Sequence, residues 1–258
     1  MMRLFPLTLS LSLMAGAAMA EDIKVGVSPG EHAEIMEEVA KIAAPAGLNI
    51  DVVEFSDYVV PNQALADGDI QANSFQHVPY LDNQVKDRGF DLVPVATTIT
   101  TPMGLYSDDL SSVEDLPDGA TIGIPNDPTN GGRALLVLQQ LGLITLAEGT
   151  GLTPTVLDLA ENPKNLRFRE LDAAQLPRSL PDVDAALINT NYAIASGLNP
   201  RTDSIAMESA DNPYVNVIVV RNGDQDAPWV QQLIDAYHSD EVKAFIEEKY
   251  DGTVLTSW

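Results

Sequence analysis

The sequence contains no cysteine and only three histidines, His32, His77 and His238. Without a thiol there is no disulfide framework, no Fe–S ligation and no cysteine nucleophile. Three imidazoles also argue against a multi-histidine metal site. Basic side chains are scarce: 14 Lys and Arg stand against 38 Asp and Glu, a net charge of −24. Such a chain is short of the cations that displace counterions from nucleic-acid phosphate, and anionic lipid would repel it. Also missing are a Gly-x-Gly-x-x-Gly or Gly-Lys-Ser/Thr phosphate loop and a Gly-x-Ser-x-Gly elbow. The acid pairs at Asp67-Gly68-Asp69 and Asp108-Asp109 lie in turns and read as turn and cap residues. No nucleic-acid partner, no metal and no cofactor are therefore expected.

What is present begins with an address. Residues 1–20 run from a cationic start at Arg3 through an apolar core to Ala18-Met19-Ala20, the pattern of a cleaved secretory signal peptide. The apolar core is short for a bilayer span and is interrupted by Pro6, Ser10 and Ser12. Cleavage after Ala20 removes Arg3 and no acid, which makes the mature charge −25. A bacterial lipoprotein would need a cysteine just after the apolar core. The expectation is therefore a periplasmic protein that is not a lipoprotein and has no lipid anchor.

The mature chain alternates strands and helices. Strand patterns at residues 23–27, 50–55, 70–75 and 92–99 are separated by helical patterns starting near Gly30, Pro61 and His77. A second alternation begins after Thr100-Thr101-Pro102, with strands at 121–125, 166–171 and 184–188 and an apolar helix over 133–141. A β-branched run at 215–220 precedes an amphipathic tail over 227–250, read as two helices meeting near Ser239. This pattern predicts an α/β protein with largely parallel sheets. The tail has no sheet of its own to cover, so it is expected to return to the first block. Two lobes follow, 21–101 plus 212–258 and 102–211. They would be joined by a hinge of two crossover strands near residues 100–102 and 210–213, with a ligand cleft between the lobes.

Candidate ligand groups sit at strand-to-helix junctions, where open α/β sheets present them. Phe75, His77 and Tyr80 could line an apolar slot with polar tips; they could equally be core residues and a helix N-terminus. In Asn126-Asp127-Pro128-Thr129-Asn130-Gly131-Gly132-Arg133 the glycines would let a ligand approach the backbone. Arg133, expected in the first helical turn, opposes the helix dipole there. It suits either a ligand carboxylate or an internal acid. Asn189 and Asn216 each adjoin a β-rich run and can both donate and accept; turn chemistry is the other reading.

These same stretches carry a resemblance. Phe55-Ser56-Asp57-Tyr58, Gly68-Asp69-Ile70-Gln71-Ala72-Asn73-Ser74-Phe75-Gln76-His77, Pro125-Asn126-Asp127-Pro128-Thr129-Asn130, Glu161-Asn162-Pro163-Lys164-Asn165-Leu166, Gln175-Leu176-Pro177-Arg178-Ser179-Leu180 and Pro213-Tyr214-Val215-Asn216 are similar, in order, to the NlpA-type methionine-binding substrate-binding proteins of ABC importers. The resemblance implies a two-lobed, periplasmic-binding-protein-like fold, no enzymatic activity and a monomer. It would close on methionine, L or D, and deliver it to a membrane permease. Arg133 would pair the ligand carboxylate, and Asn189 and Asn216 would hold its ammonium and carboxylate. Phe75, His77, Tyr80 and Tyr58 would enclose the thioether. Other readings are a receptor for another small amino acid or a methionine-containing dipeptide, and an exported enzyme with His77 as general base. The residues Ser28-Pro29-Gly30-Glu31-His32 match only loosely.

Overall fold

A computed structural model describes residues 20–258. Apart from Ala20, the expected signal peptide lies outside the described residues. The chain forms β1 (Glu21–Val27), α1 (Glu31–Ala43), β2 (Leu48–Glu54), α2 (Val60–Asp67), β3 (Ala72–His77), α3 (Val78–Arg88) and β4 (Leu92–Thr100). It then crosses to β5 (Gly104–Tyr106), β6 (Thr121–Pro125), α4 (Pro128–Gln140), β7 (Thr145–Leu146), β8 (Leu159–Glu161), β9 (Arg167–Leu171), α5 (Leu176–Ser179), β10 (Ala185–Ile188), α6 (Thr190–Ala195) and β11 (Ser204–Met207). It returns through β12 (Val215–Arg221), α7 (Pro228–Tyr237), α8 (Asp240–Tyr250) and β13 (Leu255–Thr256).

Two main sheets result, one per lobe, and β7 pairs with β8 in a separate two-stranded ribbon. The first has the order β13-β4-β12-β3-β1-β2 and the second β11-β5-β10-β6-β9. Neither is largely parallel. In the first, β1 pairs parallel with β2 and β3, but β12 enters antiparallel between β3 and β4. In the second, β6 pairs parallel with β9 and β10, while β5 runs antiparallel to β10 and β11. The reason is the chain path. Each crossing delivers a strand from the opposite lobe, so it enters its new sheet from the cleft end, against the direction of the βαβ strands.

Local chemistry explains the elements. In α1, Ile35, Met36, Val39 and Ala43 are buried on one face. They pack with Trp229, Leu233 and Tyr237 of α7 and Val242 and Ile246 of α8 in one core cluster. Each large apolar side chain buried there contributes about 1.5–3 kcal/mol. The C-terminal tail thus covers the first sheet, and β13 adds a strand to its edge by pairing with β4.

Helix α4 starts earlier than its glycines suggest. Asp127 caps it, accepting from the backbone N–H of Thr129 at 3.2 Å and Asn130 at 2.9 Å, and Pro128 takes the first helical position. Gly131 and Gly132 are therefore helical, and Arg133 lies in the second turn. The glycines do not admit a ligand to the backbone. A Cβ on Gly132 would meet Leu152 O at 2.7 Å and Thr153 Cα at 2.8 Å, so the residue lets a loop press on the helix. Gly132→Ala is expected to destabilise by about 1–3 kcal/mol through overpacking. Urea unfolding measures this, and an unchanged midpoint would contradict it.

Candidate functional site

The cleft ends of β3, β6 and β10 and the start of β12 converge between the lobes. Register brings the first and last of these together: Asn216 on β12 pairs with His77 on β3. All seven residues singled out from the sequence, Tyr58, Phe75, His77, Tyr80, Arg133, Asn189 and Asn216, line one cavity. His32, Gln76, Thr101, Asn130 and Asn191 complete its wall.

One side is aromatic. The Tyr58, Phe75 and Tyr80 rings lie 6.0–6.1 Å apart, in tilted or edge-on pairs. Beneath them, Asn62, Asn73 and Gln76 form a buried amide triad with bonds of 2.6–3.0 Å. These polar residues, from α2 and β3, can be buried because each satisfies the others.

The polar side is a chain of bonds. His77 caps α3: its Nδ1 accepts from the Tyr80 N–H at 3.1 Å. The proton is therefore on Nε2, which donates to Asn130 Oδ1 at 3.2 Å. Asn130 Oδ1 also accepts from Asn189 Nδ2 at 2.8 Å, and Asn130 Nδ2 donates to the Asp127 carboxylate. Burial, reinforced by the nearby Arg133 charge, pushes the His77 pKa down to about 3. A neutral imidazole with its only lone pair given to a helix N-terminus has no base to offer a substrate. The site is built to bind, and not to catalyse.

Arg133 takes the internal partner that the sequence left open. Its Nε lies 3.1 Å from both Glu208 oxygens, its Nη2 also donates to Glu208 Oε2, and Nη2 donates to Thr101 O at 2.8 Å. Its guanidinium rests 4.4 Å from the Tyr214 ring centroid. Among the described residues Nη1 has no hydrogen-bond partner. Two further groups are open: Asn189 Oδ1 and Asn191 Nδ2 are buried without partners among the described residues. Asn216 Nδ2 donates to Ile99 O at 3.1 Å.

The lobes meet across this cavity. Tyr58 OH donates to Asn191 Oδ1 at 2.5 Å, the Tyr58 and Tyr192 rings are 4.9 Å apart, and Tyr192 OH donates to Ser56 O at 3.3 Å. Gly30 touches the same place: a Cβ there would lie 2.5 Å from Asn191 O. Glu31 and His32 open α1, His32 in the wall and Glu31 behind it, both buried, with His32 Nε2 3.9 Å from Glu31 Oε1. Burial pushes Glu31 up to about 8 and His32 down to about 4, so both are mainly neutral at pH 7.

The residues missed from sequence had weak signals. Asn130 sat inside a motif already quoted and Asn191 lies two residues after Asn189, but nothing local assigns either to a cross-cleft bond. Glu208 had none, because its partner lies on another element.

Comparisons with known proteins agree with this architecture. The family model described as NlpA lipoprotein matches residues 23–258. The D-methionine-binding lipoprotein MetQ of Escherichia coli (strain K12) is 50% identical over 239 residues, 92% of this chain and 88% of that protein. Outer membrane lipoprotein 3 of Mannheimia haemolytica is 44% identical, covering 96% and 95%. Among solved structures, a nutrient binding protein from Burkholderia cenocepacia bound to methionine superposes with a TM-score of 0.89 at 53% identity, covering 92% of this chain and all of that one. The two-lobed binding-protein fold is shared.

These findings correct one expectation. The reading that the protein has no lipid anchor and is not a lipoprotein is overturned by a family and relatives that are named as lipoproteins. That reading rested on one missing residue type. With the model matched across nearly all the described residues and relatives half identical along nearly their whole length, the chain belongs to the NlpA lipoprotein family.

Proposed function

We propose that this protein binds free methionine, L or D, in the interlobe cavity outside the cytoplasm and delivers it to the membrane permease of an ABC-type importer. The observation that carries the reading is the pairing, in one enclosed cavity, of unspent polar atoms with an aromatic wall. Among the described residues Asn189 Oδ1 is buried without a partner, Arg133 donates from Nε and Nη2 and makes no bond from Nη1, and Phe75, Tyr58 and Tyr80 stand beside them. An amino acid supplies an ammonium for the first, a carboxylate for the second and a side chain for the rings. A thioether against aromatic edges adds about 0.3–1.5 kcal/mol per contact. The names of the Escherichia coli and Burkholderia cenocepacia relatives support the same ligand.

In this reading Arg133 and Asn216 hold the carboxylate, Asn189 the ammonium, and Tyr58, Phe75, His77 and Tyr80 the side chain. Lobe 1 is 21–101 plus 212–258, lobe 2 is 102–211, and the protein acts as a monomer. Closure brings Tyr58 to Asn191 and His77 to Asn130, so ligand and lobe contacts form together and the permease meets a closed form.

Calorimetry with the purified protein is the test. L- or D-methionine should bind with a single site, and Asn189→Ala and Asn216→Ala should each weaken binding at least about tenfold, the loss expected when a buried hydrogen bond to a charged group goes. Absence of heat with either enantiomer would end the proposal.

A further inference from the structure

We infer that Glu208 is a specificity-determining positioning residue: it cancels the charge of Arg133 and aims its fork, so that the cavity selects a zwitterion over a simple anion. The inference rests on the proposed reading that Arg133 meets a ligand carboxylate.

The geometry is specific. Glu208 follows β11 on the second crossing between lobes, and Arg133 projects from α4. Both are buried, at 7% and 2% exposure. The carboxylate occupies the Nε and Nη2 edge of the guanidinium, and Nη2 reaches on to Thr101 O on the first crossing. Glu208 also ties the crossings to each other: its N–H donates to Met103 O at 2.9 Å, and its Oε2 accepts from Met103 N–H at 3.0 Å. Three of the donors of Arg133 are thereby committed, its plane is pinned against Tyr214, and only the Nη1 end is left for a ligand.

The charge consequence follows. A guanidinium alone in a dry cavity would draw any carboxylate. Here the other titratable groups of the wall are neutral at pH 7, His77 and His32 through burial, and Glu31 behind it is mainly protonated. Asp127, whose charge is also felt at Tyr58 and Tyr80, is bonded to Asn130 and lies at the N-terminus of α4, whose dipole offsets it. Arg133 and Glu208 together contribute no net charge. A ligand with both an ammonium and a carboxylate matches such a site. One with a carboxylate alone brings an uncompensated charge and leaves Asn189 Oδ1 unpaired.

The test compares L-methionine with 4-(methylthio)butanoate, the same molecule without the ammonium, by calorimetry on wild type, Glu208→Gln and Glu208→Asp. Wild type should prefer methionine at least about 100-fold. In Glu208→Gln the bare guanidinium should reduce that preference at least tenfold. A residue with only a packing role would weaken both ligands alike and leave the ratio fixed, and that result would overturn the inference while leaving methionine binding intact. Glu208→Asp keeps the charge but shortens the reach; it should weaken both ligands at least tenfold with the ratio unchanged. Wild-type affinity in Glu208→Asp would refute the positioning role even if Glu208→Gln does not fold. No methionine binding by wild type would instead refute the proposed function itself.

Discussion

Replacing Arg133 by alanine is expected to cut methionine affinity at least about 100-fold and also to lower the unfolding free energy by about 3–5 kcal/mol. The first effect is the loss of a desolvated partner for the ligand carboxylate; a hundredfold corresponds to about 2.7 kcal/mol, within the range for truncating one member of a buried charge pair. The second has a separate cause. Glu208 is 7% exposed and takes its charge partner from Arg133, so truncation strands a buried carboxylate. The two effects can be separated. Replacing both charges, Arg133→Met with Glu208→Leu, should restore most of the stability, because an apolar pair of similar volume is often as good as a buried ion pair, yet restore none of the affinity. Calorimetry and urea unfolding of the two variants measure this. An alanine variant as stable as wild type would show that the pair carries no such strain.

Glu31→Gln is expected to make the protein more stable, by about 3 kcal/mol at pH 7. Glu31 is fully buried, its two oxygens have no hydrogen-bond partner among the described residues, and burial raises its pKa from 4.5 to about 8. Between those values the folded chain keeps a proton that the unfolded chain has released. Stability therefore falls as pH rises from 4.5 and levels off above about 8. At pH 7 some 2.5 of those pH steps have been climbed, each worth about 1.4 kcal/mol. Glutamine has the shape of the protonated acid and no such penalty. The gain over wild type should shrink toward zero near pH 4.5. Chemical unfolding at pH 5, 7 and 8 follows it, and a gain that does not change with pH would rule out the burial of this carboxyl as its source.

The elements and their junctions were legible because they are encoded locally. β-Branched runs such as Val215–Val220 and the 3.6-period face of Ile35, Val39 and Ile42 declare strand and helix within a few residues. The cavity-lining junctions were legible for the same reason: a strand meeting a helix start at His77, or at Asp127, is written in consecutive side chains. The start of α4 was misread although its signals were present. Asp127-Pro128 is a cap followed by a first-turn proline, and the glycine pair that looked like a loop reflects packing against Leu152 and Thr153, which no nearby residue announces.

Sequence alone determined the two α/β blocks, the acidic surface, the lack of thiol chemistry and the set of seven side chains that gather in the cleft. Only the tertiary structure decided the antiparallel entry of β12, which sets Asn216 beside His77, and the engagement of Arg133 by Glu208. It also decided the burial of Glu31 without a hydrogen-bond partner among the described residues. The division has a physical reason. Periodicity and capping act over one or two turns of chain. Strand order, charge pairing and desolvation depend on which distant segments share one small volume, and that is settled only when the two lobes close around it.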